Sequence, residues 1–221
     1  MREVKEMRKL FVLMALVMAL SAPAVAGLVN GDWGTGDETG WTRWWAPWGA
    51  ANWSVTVDGP TPPEGTATLN PGQNGSFGWY QTVECPAGML CCISGMWAGS
   101  IGGAGWAEVM LWTQPAPGGE ANRADVGNPA DIAFKKDSWG MNPPTTWDWQ
   151  PITLSPHPNG NGGMVISQGY VVVALKLGGF SPPEWVSWDN LCLTCVPEPG
   201  SILALGTGLV GLAGLMIRRR K

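Results

Sequence analysis

Tryptophan is the residue type in this sequence best suited to bind a ligand, because it is abundant and clustered. The 221 residues include 15 Trp but only 4 Phe and 2 Tyr. A sugar ring presents a flat face of C–H groups that stacks on an exposed indole, and the indole N–H can bond a hydroxyl group. Two clusters are therefore candidate carbohydrate-binding loops. The first consists of Trp44, Trp45 and Trp48 and is interrupted by Pro47. The second consists of Trp147, Asp148 and Trp149.

The alternative is that these indoles fill the protein core, where so few Phe and Tyr are available. An exposed aromatic patch indicates a binding surface only if its residues are contiguous. A core position is expected for six other tryptophans: Trp33, Trp53, Trp79, Trp106, Trp112 and Trp188.

Residues for catalysis are sparse. The only histidine, His157, lies in a proline-rich segment, and no Ser or Cys nucleophile motif accompanies it. Glu108 is a candidate for one of the two opposed carboxylates of a glycosidase. Its possible partners are Asp131, Asp148 and Glu184. Because acidic residues are numerous, such pairs arise by chance, and the sequence favours a non-catalytic protein with a glycan-active hydrolase as the alternative.

The segment between the two chain termini is acidic. Residues 27–197 contain five basic and fourteen acidic side chains, a net charge of −9. Such a surface repels phosphate backbones, so no nucleic-acid partner is expected.

The N-terminal 26 residues are typical of a secretory signal peptide. Basic residues precede an apolar run, and small residues at Ala24 and Ala26 predict cleavage before Gly27. The apolar run is shorter than the ~20 residues that a membrane span needs.

The C-terminal 26 residues, 196–221, combine a short motif, an apolar stretch and a basic tail. Pro197, Glu198 and Pro199 come first, followed by a predicted transmembrane helix at 201–217 and four basic residues at 218–221. The positive-inside rule keeps the tail cytoplasmic and places residues 27–195 outside.

This order resembles the PEP-CTERM sorting signal of Gram-negative bacteria. The resemblance implies an exosortase as a partner, which cuts near the motif after transient anchoring in the inner membrane. The protein is then expected at the cell surface or outside the cell. The alternative is a simple single-span membrane anchor, which the Gly-rich helix would also fit.

Five cysteines lie in the exported segment, and export places them in an oxidising compartment. They are disulfide candidates: Cys85, Cys91, Cys92, Cys192 and Cys195. Two bridges with one leftover thiol are expected, and several pairings are open. A bridge from the first group to the second would tie a middle strand to the last one. A zinc site or a redox-active pair is less favoured, because Cys91 and Cys92 are adjacent and no βαβ pattern surrounds the others.

Short alternating stretches separated by Gly and Pro predict an all-β sandwich or barrel for residues 27–195. A continuous apolar run at 170–175 predicts a strand buried on both faces. Loops are predicted at 59–65, 114–122 and 141–161, where Pro and Gly cluster.

Three segments of this domain resemble galactose-binding-like jelly rolls, a fold of many carbohydrate-binding modules. They are residues 28–42, 79–95 and 186–191. The resemblance implies a jelly-roll β-sandwich, and a structural Ca²⁺ held in part by Asp32 and Asp189. The glutamate expected after the first strand is replaced by Gly34, which weakens the calcium prediction. The resulting hypothesis is a surface or matrix protein that binds polysaccharide through Trp-rich loops, with a structural protein without a small ligand as a further alternative.

Overall fold

The computed structural model describes residues 27–56, 64–70, 73–115, 118–138, 143–155, 163–180, 183–197 and 208. Within these residues the chain forms eleven β-strands, one short helix and two single 3₁₀ turns. The strands are β1 (Thr42–Trp45), β2 (Asn52–Thr56), β3 (Glu64–Leu69), β4 (Gly75–Glu84), β5 (Met89–Ile101), β6 (Gly105–Trp112), β7 (Ile132–Asp137), β8 (Thr145–Pro151), β9 (Gly163–Val165), β10 (Tyr170–Gly179) and β11 (Glu184–Pro197). The helix α1 spans Glu120–Val126, and the 3₁₀ turns span Pro129–Asp131 and Ile152–Leu154.

The strands form two antiparallel sheets that pack face to face. Sheet I has the order β1-β4-β10-β6-β7. Sheet II has the order β2-β3-β11-β5-β8, and β9 pairs with β5 beside β8. The predicted all-β sandwich is confirmed.

The interior between the sheets is rich in tryptophan. Trp33 stacks on Trp41 with ring centroids 5.3 Å apart, and it also contacts Trp79 at 5.1 Å. Four of the six predicted core tryptophans are fully buried, namely Trp33, Trp79, Trp112 and Trp188. Trp53 and Trp106 are only partly buried. Aromatic pairs of this kind contribute beyond the area that they bury.

A second, smaller core covers the outer face of sheet I. It joins Trp44, Met110, Trp112, Ala124, Ile132, Val172 and Ala174. Helix α1 provides Ala124, and a bidentate ion pair from Arg123 to Asp131, at 2.7 and 2.8 Å, ties the helix to the following 3₁₀ turn. Strand β10 is consequently buried on both faces, as the apolar run predicts.

β-Bulges set which side chains face outward. In β11 the register shifts between Asp189 and Cys192, where Asn190 has a φ of 51°. The bulge reverses the alternation, so Leu191, Leu193 and Cys195 face the core. The Leu191 amide donates to the Gly31 carbonyl at 2.8 Å, which fixes the first segment of the domain to the last strand.

The loop predictions at 114–122 and 141–161 are partly wrong. Helix α1 begins at Glu120, and β8 occupies 145–151. The Pro and Gly that indicated loops flank these elements, and β8 forms because its backbone pairs with β5. No helix in the described part of the chain is long and apolar enough to span a membrane. The signal peptide and nearly all of the predicted helix at 201–217 lie outside the described residues.

Candidate functional site: the outer face of sheet I

One row of neighbouring residues crosses all five strands of sheet I on its outer face. The register places Trp44 beside Gly78, Gly78 beside Lys176, Lys176 beside Glu108 and Glu108 beside Lys135. Glu108 lies between two lysines, with Lys135 Nζ at 3.4 Å and Lys176 Nζ at 3.5 Å from its carboxylate oxygens. We refer to Lys176, Glu108 and Lys135 as the charged row.

The charged row is unusual because most of it is shielded from water. Lys176 and Glu108 are each 4% exposed. Burial lowers the pKa of Lys176, and the negative charge of Glu108 partly offsets that effect. Lys176 Nζ also donates to the Asp125 carbonyl of α1 at 2.8 Å. Glu108 Oε2 is buried and has no hydrogen-bond donor among the described residues.

Three aromatic rings border the charged row, and we call them the aromatic platform: Trp48, Phe180 and Trp106. Trp48 and Phe180 stack almost in parallel, with centroids 5.4 Å apart and 9° between the planes. Trp106 leans on Phe180 at 5.9 Å. Trp48 is 46% exposed and Phe180 is 44% exposed, so the platform is contiguous and open to solvent.

Glycine makes room for the platform. Trp106 lies across Gly178 of the neighbouring strand, where an added Cβ would come within 2.2 Å of the indole. Lys176 Nζ lies 5.9 Å from the centroids of both Trp106 and Trp44. The aromatic platform therefore lies directly beside the charged row.

The first predicted Trp cluster does not form one loop site. Trp44 and Trp45 are consecutive in β1, so their side chains point to opposite faces of the sheet. Trp44 is 1% exposed because the second core covers it, and its Nε1 donates to the Leu175 carbonyl at 3.3 Å. Trp44 is therefore buried where a ligand residue was expected. The loop interpretation was wrong for Trp44 and Trp45, because both residues belong to β1, which ends before Pro47.

Trp45 and Trp48 are exposed, as the binding hypothesis requires, but they lie on different surfaces. Trp45, 57% exposed, lies edge-on to Trp53 with centroids 5.9 Å apart. The Arg43 guanidinium lies 4.9 Å from the Trp53 ring centroid. Only Trp48 joins the aromatic platform.

The second predicted cluster is divided by a β-bulge in β8. Gly99 pairs with Trp147 and Trp97 pairs with Gln150. Asp148 and Trp149, between these pairs, are the residues of β8 that form the bulge. Trp147 is buried against Trp97 at 5.4 Å, which corrects its expected ligand role. Asp148 and Trp149 are exposed.

The cysteines form one disulfide, Cys91–Cys195, which ties β5 to β11 as predicted for a middle and a last strand. Cys85 is a buried thiol whose Sγ lies 3.1 Å from Cys91 Sγ, and burial raises its pKa. Cys92 and Cys192 are exposed thiols. The expected second bridge is not present in the structure.

The predicted calcium ligands lie near one another without converging. Burial raises the pKa of Asp189, and the Asp32 carboxylate adds to that effect. Burial and the charge of Asp189 likewise raise the pKa of Glu64. Both Asp189 oxygens accept hydrogen bonds from Asn190, at 2.7 and 2.9 Å.

Among the described residues, the one group of three possible metal ligands within 4.8 Å of one another is Cys85, Cys91 and Cys195. That group does not include Asp32 or Asp189. The calcium site stays a prediction.

The carboxylates considered for hydrolysis lie on different elements, with Glu108 on β6, Asp148 on β8 and Glu184 on β11. Glu108 is on the outer face of sheet I, whereas Glu184 is fully buried against Gly105 and Gly179. Asp131 is held by Arg123. Burial raises the pKa of Glu184 to about 7, partly offset by the Gly102 amide.

Sequence reasoning missed Phe180 and the charged row as parts of a surface. Glu108 and Trp106 were considered only as a catalytic acid and as a core residue. Their alternation in β6 was visible, but the strand neighbours Gly178 and Lys176 follow only from the register.

A comparison with protein families identifies the C-terminal segment. Residues 196–221 match the family described as the PEP-CTERM protein-sorting motif. The chain carries a PEP-CTERM sorting motif. The motif indicates export and sorting to the cell surface or the exterior.

Solved structures with a similar fold include several carbohydrate-binding modules. TmCBM61 in complex with β-1,4-galactotriose is 16% identical, with a TM-score of 0.45 over 76% of this chain and 97% of that one. A CBM4 structure is 14% identical, with a TM-score of 0.41 over 77% of this chain and 99% of that one. A cyclase from Fischerella sp. TAU is 12% identical, with a TM-score of 0.47 over 80% and 99%. No curated protein sequence matches this chain.

The PEP-CTERM motif follows the last strand directly. Strand β11 ends at Pro197, the first residue of the tripeptide, while Glu198 and Pro199 lie outside the described residues. The disulfide at Cys195 fixes the strand two residues before Pro197. The folded domain thus extends up to the motif.

Proposed function

We propose that this protein is an exosortase-sorted surface or matrix protein whose β-sandwich binds polysaccharide, without catalysis, on the outer face of sheet I. The observation that supports binding is the contiguous aromatic platform of Trp48, Phe180 and Trp106. Scattered exposed aromatic residues are normal, whereas a contiguous patch is typical of a binding surface. The PEP-CTERM motif supports the sorting half of the proposal.

The chemistry of the surface suits a neutral sugar chain. The exposed rings of Trp48 and Phe180 offer stacking faces for C–H groups. Lys135 and Asp137, 3.3 Å apart at the edge of the charged row, offer a donor and acceptors for hydroxyl groups. The net charge of −9 on residues 27–197 disfavours acidic polysaccharides.

Trp48→Ala is the variant that tests binding. It removes one stacking face, and we expect the affinity for a neutral polysaccharide to fall at least about tenfold, or ~1.4 kcal/mol. Affinity electrophoresis in gels containing neutral or acidic polysaccharides measures the retardation of the purified domain.

Trp149→Ala is the matched control, because Trp149 is also exposed but lies on β8 of the other sheet. Its retardation should equal that of the wild type. Equal loss in both variants, or none in Trp48→Ala, would contradict binding at the platform.

Intact mass spectrometry of protein from membranes and from culture medium tests the sorting proposal. We expect mature chains that begin at Gly27 and end near Pro197. Glu198→Ala should leave the C-terminal segment attached and keep the protein in the membrane fraction. A wild-type chain that retains residues 201–221 everywhere would show that the domain is simply anchored.

A further inference from the structure

Two exposed thiols share the outer face of sheet II. Cys92 lies on β5 and Cys192 on β11, two adjacent antiparallel strands. Their neighbours in the ladder are Thr194 and Ser94, respectively. The small polar side chains around the thiols leave this part of the sheet open to solvent.

Neither thiol can pair with the other sulfurs of its own chain. Cys91 and Cys195 already form a disulfide on the opposite, inner face of the sheet, and Cys85 is buried beside them. Side chains of consecutive strand residues point to opposite faces, which separates Cys92 from Cys91. The bulge in β11 fixes Cys195 inward and Cys192 outward.

The register also disfavours a bridge between Cys92 and Cys192. Cys92 faces Thr194 and Cys192 faces Ser94, so the two cysteines are diagonal neighbours, ~7–8 Å apart in a typical sheet. Disulfides normally need Cα atoms within about 4.4–6.8 Å.

The side chain of Cys92 also points away from β11. An added Cβ on Gly163 of β9 would lie 2.8 Å from Cys92 Sγ, so this thiol lies towards β9, away from β11. Cys192 Sγ lies 3.9 Å from Thr194 Oγ1 on its own strand.

We infer that Cys92 and Cys192 form a covalent attachment site for a second copy of this chain. A thiol exported to an oxidising compartment pairs with another accessible thiol, and an identical chain supplies a matching pair. Two copies can pack with these faces against each other, related by a two-fold axis that lies between the faces and parallel to them. The thiols of one copy then meet those of the other, and the contact is closed and isologous. This attachment depends on export but not on carbohydrate binding.

Each bridge joins two Sγ atoms and releases two protons and two electrons. The electrons pass to the disulfide of a dithiol oxidase in the exported compartment, which is reduced to a dithiol as the bridge forms. The buried Cys85 takes no part, because burial keeps its thiol protonated.

The test uses the full-length protein recovered from the exported fraction after thiols are blocked by alkylation. Non-reducing electrophoresis and intact mass spectrometry should show a covalent dimer that reduction converts to monomer. Cys92→Ser with Cys192→Ser should abolish the dimer completely. The matched control, Cys85→Ser, should keep it.

Three outcomes would overturn the inference. They are a wild-type monomer with both thiols alkylated, a monomer with a Cys92–Cys192 bridge, and a monomer carrying a small thiol on either cysteine. Peptide mapping separates the three. Circular dichroism of the double variant checks that loss of the dimer does not result from misfolding.

Discussion

The outer faces of the two sheets differ in how they are covered. On sheet I, helix α1 and Trp44 bury a second core beside the largely buried charged row, and the aromatic platform is exposed. On sheet II the described outer residues are largely small and polar, with hydrogen-bonded pairs such as Thr66–Ser187 at 2.7 Å and Ser100–Thr146 at 2.9 Å. Sheet I thus carries an exposed aromatic surface, whereas the outer face of sheet II carries small polar side chains and the two exposed thiols Cys92 and Cys192.

The difference shows that the position of a tryptophan in the fold, rather than its residue type, decides whether it is part of a core or exposed to solvent. Trp44 and Trp48 are four residues apart, yet the first is covered by α1 and the second stacks in solvent on Phe180. Lys176, whose Nζ lies 5.9 Å from the Trp44 ring centroid, pairs with Glu108 beside the buried tryptophan.

Lys176→Met should have the largest effect on stability. It removes the buried cation and leaves Glu108 with Lys135 alone, at 3.4 Å. Breaking a buried ion pair typically costs about 3–5 kcal/mol, and the remaining lysine places this variant near the lower value. Urea denaturation measures the change.

Lys136→Met is the control for that variant. Lys136 lies on β7 beside Lys135, but it is half-buried and its Nζ lies 5.7 Å from the Trp147 ring. Loss of this contact should cost no more than about 1 kcal/mol. Equal destabilisation by the two variants would show that the charged row has no special role.

Glu184 should make stability depend on pH. Its folded pKa of about 7 lies above the ordinary value of 4.5, so the folded state binds the proton more tightly than the unfolded state. The contribution of Glu184 to the free energy of unfolding should be fully present below about pH 4.5. It should decrease as the pH rises to about 7 and then level off. The loss is at most about 3.5 kcal/mol, since each of the roughly 2.5 pKa units corresponds to ~1.4 kcal/mol.

Glu184→Gln should remove this component of the pH profile and exceed the wild type in stability at pH 8. Denaturation at several pH values measures both. Because Glu184 lies inside the sandwich, polysaccharide binding should not change. A variant profile parallel to that of the wild type would contradict the burial of an uncompensated carboxyl group.

The sequence predicts the strands better than it predicts the site. Alternation at 77–83 and 106–112 and the apolar run at 170–175 indicated β4, β6 and β10, because period-two patterns directly reflect a sheet with a buried face. Strand β8 was missed because the surrounding Pro and Gly are loop signals. Its pairing with β5 depends on contacts far apart in the chain.

The site depends on the same long-range register. Trp44 and Trp147, both expected as ligand residues, are buried, Trp44 in the second core that α1 helps to form and Trp147 opposite Gly99 of β5. Phe180 and Trp48 are separated by 131 residues in the sequence, so no local pattern pairs them. Neither fact is encoded in local spacing, whereas the PEP-CTERM motif is a local signal and was found directly.

The central claim is that polysaccharide binds on the outer face of sheet I. The most direct measurement is an NMR titration that follows the assigned indole N–H signals of the tryptophans while a neutral oligosaccharide is added. We predict that the signals of Trp48 and Trp106 shift in a saturable way, while those of Trp45 and Trp149 stay unchanged. Saturable shifts confined to Trp45 or Trp149 would contradict the claim and place binding elsewhere on the domain.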